Sequence, residues 1–262
     1  MEYVVGFLIA LVVGLTGVGA GSITAPVLML FFAVPPVESV GTALVFAAVI
    51  KVAVVPVYLA RKQVHFRTLF LLCLGGIPGV IAGFFFLGLL NAHRQQSVLL
   101  LLLGLTIVIM AMVNVVRSLR QDKQIHRKDR PGWLPGIAAL IGAEVGFSSA
   151  GAGALGSVAL LSLTSLTAAQ VVGTDMAFGL VTSVIGGGFH FGAGHYNGTL
   201  LMQLIIGGLA GAFAGAGLSS VVPSRALRLA LSVWLVLIGA QLCWRAVDSG
   251  VQTVHPNATV VR

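Results

Sequence analysis

The chain has 262 residues and a mass of 27.0 kDa, of which 58% are hydrophobic and only 8% charged, with mean hydropathy +1.05. Soluble proteins carry about 25% charged residues, so this composition cannot furnish a water-exposed surface, and lipid must be the solvent for most of the chain. The net charge of +8 is of the size seen in nucleic-acid binders, but six of the 15 Lys and Arg lie between Arg117 and Arg130. That clustering is the pattern of a loop retained on the cytoplasmic side of a membrane, and no nucleic-acid partner is expected.

A bilayer core of about 30 Å takes about 20 apolar residues per helix. In chain order the apolar runs fall at roughly 4–34, 39–60, 68–90, 97–116, 134–168, 171–189, 199–222 and 227–244. Six have the length of one span. The first and fifth are too long for one ordinary helix and carry glycine clusters at their centres. Met1-Glu2-Tyr3 lacks the basic stretch of a signal peptide, so the first run is expected to be retained. Cys73 and Cys243 lie inside apolar runs, which predicts neither a disulfide framework nor a metal cluster. Gly151 to Gly156 matches G-x-G-x-x-G, but within an apolar run and with no strand before it; neither H-E-x-x-H nor a P-loop lysine is present. No cofactor, no metal and no enzymatic activity are therefore expected.

The two long runs are related. A shift of 132 positions lays Gly14-Leu-Thr-Gly-Val-Gly-Ala-Gly21 on Gly146-Phe-Ser-Ser-Ala-Gly-Ala-Gly153, and Val40-Gly41-Thr42 on Val172-Gly173-Thr174. The same shift lays Gly75-Gly76, Gly79 and Gly83 on Gly207-Gly208, Gly211 and Gly215. One offset held across about 70 residues implies duplication. The expected organisation is a first transmembrane repeat over 1–120, a basic linker over 121–132, a second repeat over 133–247 and a polar tail over 248–262.

Loop charge leaves the topology open. Whether each long run crosses once or dips in and returns, 11 Lys and Arg outside the spans fall on one side and three on the other. Run length and the absence of Lys and Arg from the loop 190–198, which is expected to be solvated, favour the returning form. The fold expected is all-α: a polytopic membrane protein of two repeats with broken, re-entrant first helices in inverted arrangement, a recurrent plan for secondary transporters. A glycine-rich bundle of this kind also suits a homodimer.

Irregular backbone survives in a membrane only where it lines a cavity or is buried in protein. Each glycine break precedes a helix start, near Gly21-Ser22 and near Gly153-Ala154, whose free N–H groups and partial positive charge suit an anion. Candidate substrate-binding residues are Thr16, Gly17, Gly19, Gly21 and Ser22 in the first break and Ser148, Ser149, Gly151 and Gly153 in the second. The glycines at 75–83 and 207–215 are read instead as close-packing residues. The arrangement of broken run, Pro26-Val27-Leu28 and Val40-Gly41-Thr42, repeated at 146–174, resembles the TauE/SafE family of membrane permeases from about residue 6 to 245. The resemblance implies a carrier of small sulfur-containing anions such as sulfite and organosulfonates, exporting them across the cell membrane (in a bacterium, the inner membrane). It also implies that Gly41, Thr42, Gly173 and Thr174 face the substrate. The chain departs from the family where many members have serine after Gly-Thr: here stand Ala43 and Asp175.

Lys51 lies about 15 Å from the basic end of its span, near the midplane, at 1.5 Å per residue. There it either neutralises a bound anion or pairs with an acid. Asp175 and Glu144, the acids deep in the second half, are candidates for proton coupling. Two rival readings remain at this level: a cation or proton-coupled carrier using Glu144 and Asp175, and an intramembrane enzyme or assembly factor.

Overall fold

The computed structural model describes residues 1–16, 20–92, 96–119, 131–151, 153, 155–218 and 232–246. Among them every regular element is helical: α1 (Glu2–Thr16), α2 (Ala20–Phe31), α3 (Pro36–Ala60), α4 (Phe66–Ala92), α5 (Gln96–Leu119), α6 (Leu134–Ser148), α7 (Leu155–Leu163), α8 (Ala168–Gly192), α9 (Gly198–Leu218) and α10 (Ser232–Ala246), with a short 3₁₀ turn at Pro131–Trp133 before α6. Gly17, Gly19, the side chain of Thr16, the linker over 120–130 and the tail from 247 lie outside the described residues.

Local chemistry sets the helix ends. Pro36 opens α3, where its missing N–H costs nothing. Thr167 opens α8 with a reciprocal capping box: its hydroxyl accepts from Gln170 N–H, and Gln170 Oε1 accepts from Thr167 N–H. Left-handed residues mark the stops, with Ala33 (φ 50°) after α2, Lys62 (φ 54°) after α3, Ser149 (φ 65°) after α6 and Gly194 (φ 72°) after α8. The chain therefore leaves α6 at Ser149, in the middle of a run that hydrophobicity alone would have continued. α3, α4, α8 and α9 are each long and apolar enough to cross a membrane. α1, α2, α6 and α7, of 15, 12, 15 and 9 residues, are not.

The halves are interleaved. α4 packs on α6 and α1 on α9 through glycines four residues apart. Gly75, Gly79 and Gly83 lie against the backbone of Pro135, Ala139 and Ala143, while Gly207, Gly211 and Gly215 lie against Tyr3, Phe7 and Leu11. In both pairs the residue numbers rise together, so the partners run parallel. At each of these glycines an added Cβ would collide with a neighbouring carbonyl, which is what allows the backbones to approach so closely. Every contact in the first set becomes its counterpart in the second when 132 is added to the first-half residue and subtracted from the second-half one. The cross-half contacts of Gly76 with Phe178 and of Gly208 with Phe46 obey the same exchange. The beginnings of α6, α8 and α9 lie 132 residues after those of α1, α3 and α4.

α3 and α8 form the centre, and they run antiparallel. Gly41 meets His195, Gly187 meets Leu44 and Val45, Lys51 meets Gly179 and Ser183, and Gly173 meets Gln63, so one number falls as the other rises. The start of α3 therefore lies at the same end as the α8–α9 turn. Because α9 leaves that turn and α1 runs parallel to α9, the α1–α2 excursion sets out from the end to which it must return to begin α3. By the same reasoning α6–α7 sets out from, and returns to, the opposite end, where Arg61 and Lys62 lie.

Candidate functional site

The two breaks meet. Ser149 Oγ donates to the Gly21 carbonyl at 3.0 Å, and Gly21 sits so close to the Ser149 carbonyl that a Cβ there would collide with it. Gly21 and Ser22 belong to the first described turn of α2 (Ala20–Phe31), which lies beside the end of α6. Ser22 and Ser149 are both buried. Gly153, at φ 103°, takes a conformation open to glycine and introduces α7. Gly151 packs against Glu144 Cγ and the Ile141 carbonyl, so its lack of a side chain serves the turn back over α6.

The serines of the second break are already engaged. Ser148 Oγ donates to Glu144 Oε1 at 2.5 Å and accepts from Ala150 N–H at 3.2 Å. Glu144 also borders a cavity of about 510 Å³ between α4 and α6, lined with Ala82, Gly83, Phe86, Leu140, Ala143 and Phe147. That cavity opens among apolar side chains, several of them exposed.

Lys51 is 3% exposed, and its ammonium donates to the Gly179 carbonyl and to Ser183 Oγ, both at 3.0 Å. Ser183 is the residue 132 positions after Lys51, so this bond joins equivalent points of the two halves and lies where their exchange axis passes. Asp175, also buried, is the opposite charge acting on Lys51. Its Oδ2 accepts from Ser157 Oγ, and its Oδ1 lies against Gly156, tying α7 to α8. A buried ammonium costs several kcal/mol even after relaxation, and these partners together hold it near the midpoint of α3 and α8.

The two Gly-Thr pairs sit elsewhere, at the two ends of the α3–α8 pair. Thr42 Oγ1 accepts from Asn197 N–H at 3.1 Å, and Gly41 accommodates the His195 carbonyl. Thr174 Oγ1 accepts from His65 N–H at 2.9 Å, and Gly173 accommodates the Gln63 carbonyl. Residues 191–194 of the histidine loop are exposed, but His190 is not. α8 continues to Gly192, so His190 falls in its last turn, wholly buried against Phe84 at 4.9 Å and His195 at 5.7 Å. The His195 carbonyl and the His190 side chain both lie against Gly41.

Sequence reasoning missed Ser157, Ser183 and Gly179. The 132-residue offset contained the signal for Ser183, since it lays that serine on Lys51. Nothing comparable marked Ser157, whose first-half counterpart is Ala25.

Residues 3–242 match the family described as Sulfite exporter TauE/SafE. Among curated proteins of Bacillus subtilis (strain 168), the chain is 28% identical over 251 residues to probable membrane transporter protein YjnA, covering 90% of this chain and 96% of that one. It is 23% identical over 273 residues to probable membrane transporter protein YunE, covering 95% and 100%. Probable membrane transporter protein YdhB is likewise 23% identical, over 240 residues, with 90% and 96% covered. No solved structure matches the chain.

Proposed function

The chain belongs to the sulfite exporter TauE/SafE family, and from that premise we propose that this membrane transporter is a secondary carrier of small sulfur-containing oxyanions, sulfite and organosulfonates, which it exports across the cell membrane. The observation that carries the reading is the meeting of the two breaks at Gly21 and Ser149. There the first described turn of α2 meets the irregular backbone that follows α6, inside the bundle, the only environment in which a membrane tolerates such backbone.

Chemically, an oxyanion would be served by the N–H groups and partial positive charge at the start of α2, whereas the Ser149 hydroxyl proton is committed to the Gly21 carbonyl. Lys51, the buried cation of the α3–α8 core, supplies compensating positive charge within the bundle. The antiparallel α3–α8 core and the opposed α1–α2 and α6–α7 excursions support inverted repeats that open alternately to the two sides. The end bearing Arg61, Lys62 and Arg67 is then cytoplasmic, and the α8–α9 turn is external. Asp175, held by Ser157 on α7, is the group we assign to proton coupling, because protonating it loosens the tie between a re-entrant half-helix and the core.

The direct test is flux in proteoliposomes with sulfite and a panel of organosulfonates. Flux that saturates with substrate is expected; none from correctly folded protein across the panel overturns the reading. Replacing Lys51 by Met separates it from a cation carrier built on Glu144 and Asp175, since loss of a positive charge should lower anion movement at least tenfold but leave cation movement intact.

A further inference from the structure

Each Gly-Thr pair holds a turn of the opposite half. Asn197 is the N-cap of α9, its Oδ1 accepting from Leu200 N–H at 3.1 Å, and His65 caps α4, its Nδ1 accepting from Thr68 N–H at 3.3 Å. Each cap residue's own N–H is taken by a threonine of the other half, Asn197 by Thr42 and His65 by Thr174. Beside each threonine is a glycine without which the opposing turn could not approach, since a Cβ at Gly41 or Gly173 would collide with the His195 or Gln63 carbonyl. Both threonines are wholly buried. The two arrangements exchange under the 132-residue offset in every member: Gly41 with Gly173, Thr42 with Thr174, Gln63 with His195 and His65 with Asn197.

We propose that these are the two gates of the carrier: Gly41-Thr42 clamped on the 195–197 turn closes the external end, and Gly173-Thr174 clamped on the 63–65 turn closes the cytoplasmic end. This rests on the carrier reading above. The clamps stand at opposite ends of the antiparallel core, and each is a cross-half contact that must part before its end can open. With hydroxyl–amide distances of 3.1 and 2.9 Å both are shut, which is an occluded state. Alternation is then the release of one clamp while its twin holds. Because the two bonds are chemically alike, their strengths nearly cancel and the bias between inward- and outward-open forms stays small. Deleting one acceptor removes a single neutral hydrogen bond, which shifts the balance toward opening at that end by about threefold to tenfold. Thr42 and Thr174 are thus positioning residues, acting on access rather than on the anion.

The test reads access from each side separately. In a chain carrying Cys73→Ser and Cys243→Ser, Ser22→Cys places one reporter thiol at the meeting of the breaks. A membrane-impermeant, sulfonate-bearing methanethiosulfonate labels it in right-side-out and inside-out vesicles. Thr174→Val is expected to raise the labelling rate from the cytoplasmic face and lower it from the external face. Thr42→Val should do the reverse, and serine at either position should restore the starting ratio. A change of the same sign on both faces, or none, overturns the proposal, because a threonine that merely supports the fold has no side preference. If the valine variants fail to reach the membrane, oxidised pairs decide instead. Thr42→Cys with Asn197→Cys should block labelling from outside only, and Thr174→Cys with His65→Cys from the cytoplasm only; blocking both faces or neither overturns the proposal. Anion flux by the unaltered protein is measured in parallel. Side-specific labelling without flux keeps the gates and removes the anion assignment, whereas flux without side-specific labelling removes the gates alone.

Discussion

Lys51 shows how a single residue's meaning depends on its partners. Its sequence position marks a charge deep in a span, and burial makes that charge expensive unless it is held. The Gly179 carbonyl, Ser183 hydroxyl and Asp175 charge hold it. Lys51→Met is therefore expected to lower the maximal anion flux at least tenfold while leaving monodisperse, folded protein, measured by uptake and by size-exclusion chromatography in detergent. Asp175→Asn keeps a partner for Ser157 but cannot carry a proton. If Asp175 couples transport to protons, this variant should transport without responding to an imposed pH gradient, and an undiminished response would remove the assignment. Gly21→Ala tests the meeting of the breaks, since its methyl would be driven into the Ser149 carbonyl. Overpacking of this kind costs about 1–3 kcal/mol, so a lower thermal midpoint and loss of flux are expected together. Lys51 and Asp175 were legible in the sequence because charges are conspicuous in a run of apolar residues. Ser157 and Ser183 were not, because a serine in a membrane helix looks alike whether it ties down a charge or bonds its own backbone.

The elements follow two rules. Long apolar runs become spanning helices, and small residues spaced by four decide which of them touch. Gly79 and Gly211 occupy equivalent places, against Ala139 and Phe7 respectively. Gly79→Leu and Gly211→Leu should each force a helix pair apart and reduce the yield of folded protein severely, by similar amounts. Gly88, whose neighbourhood is open, should accept alanine with little change. Thermal unfolding followed by fluorescence of the purified variants checks the ordering. The breaks within the two long runs were legible because glycine clusters there conflict with a continuous helix. The Gly-Thr pairs stood out in the same duplicated pattern, yet sequence could not say what they touch. Their partners are backbone amides and carbonyls more than 100 residues away, and backbone groups leave no mark on composition.

At the scale of the molecule, the exchange of contacts between halves makes a topological prediction. With inverted halves, Lys62→Cys in the α3–α4 turn should label only from the cytoplasm and Gly194→Cys in the α8–α9 turn only from outside. A parallel arrangement would put both on the cytoplasmic side, so impermeant thiol labelling of intact cells distinguishes the two. Charge counting could not, because both arrangements leave the same numbers of Lys and Arg on each side.

Sequence alone determined that the chain is a helical membrane protein, and its 132-residue offset led to the expectation of two related halves, each opening with an interrupted run. These are properties of composition and periodicity, which depend on the solvent a residue must face and on nothing further away. The tertiary structure decided the antiparallel course of α3 and α8, the contact of Gly21 with Ser149, and the engagement of Thr42 and Thr174 by opposing turns. Each of these is a relation between residues distant in the chain, settled by which surfaces fit once glycine has let two backbones come together.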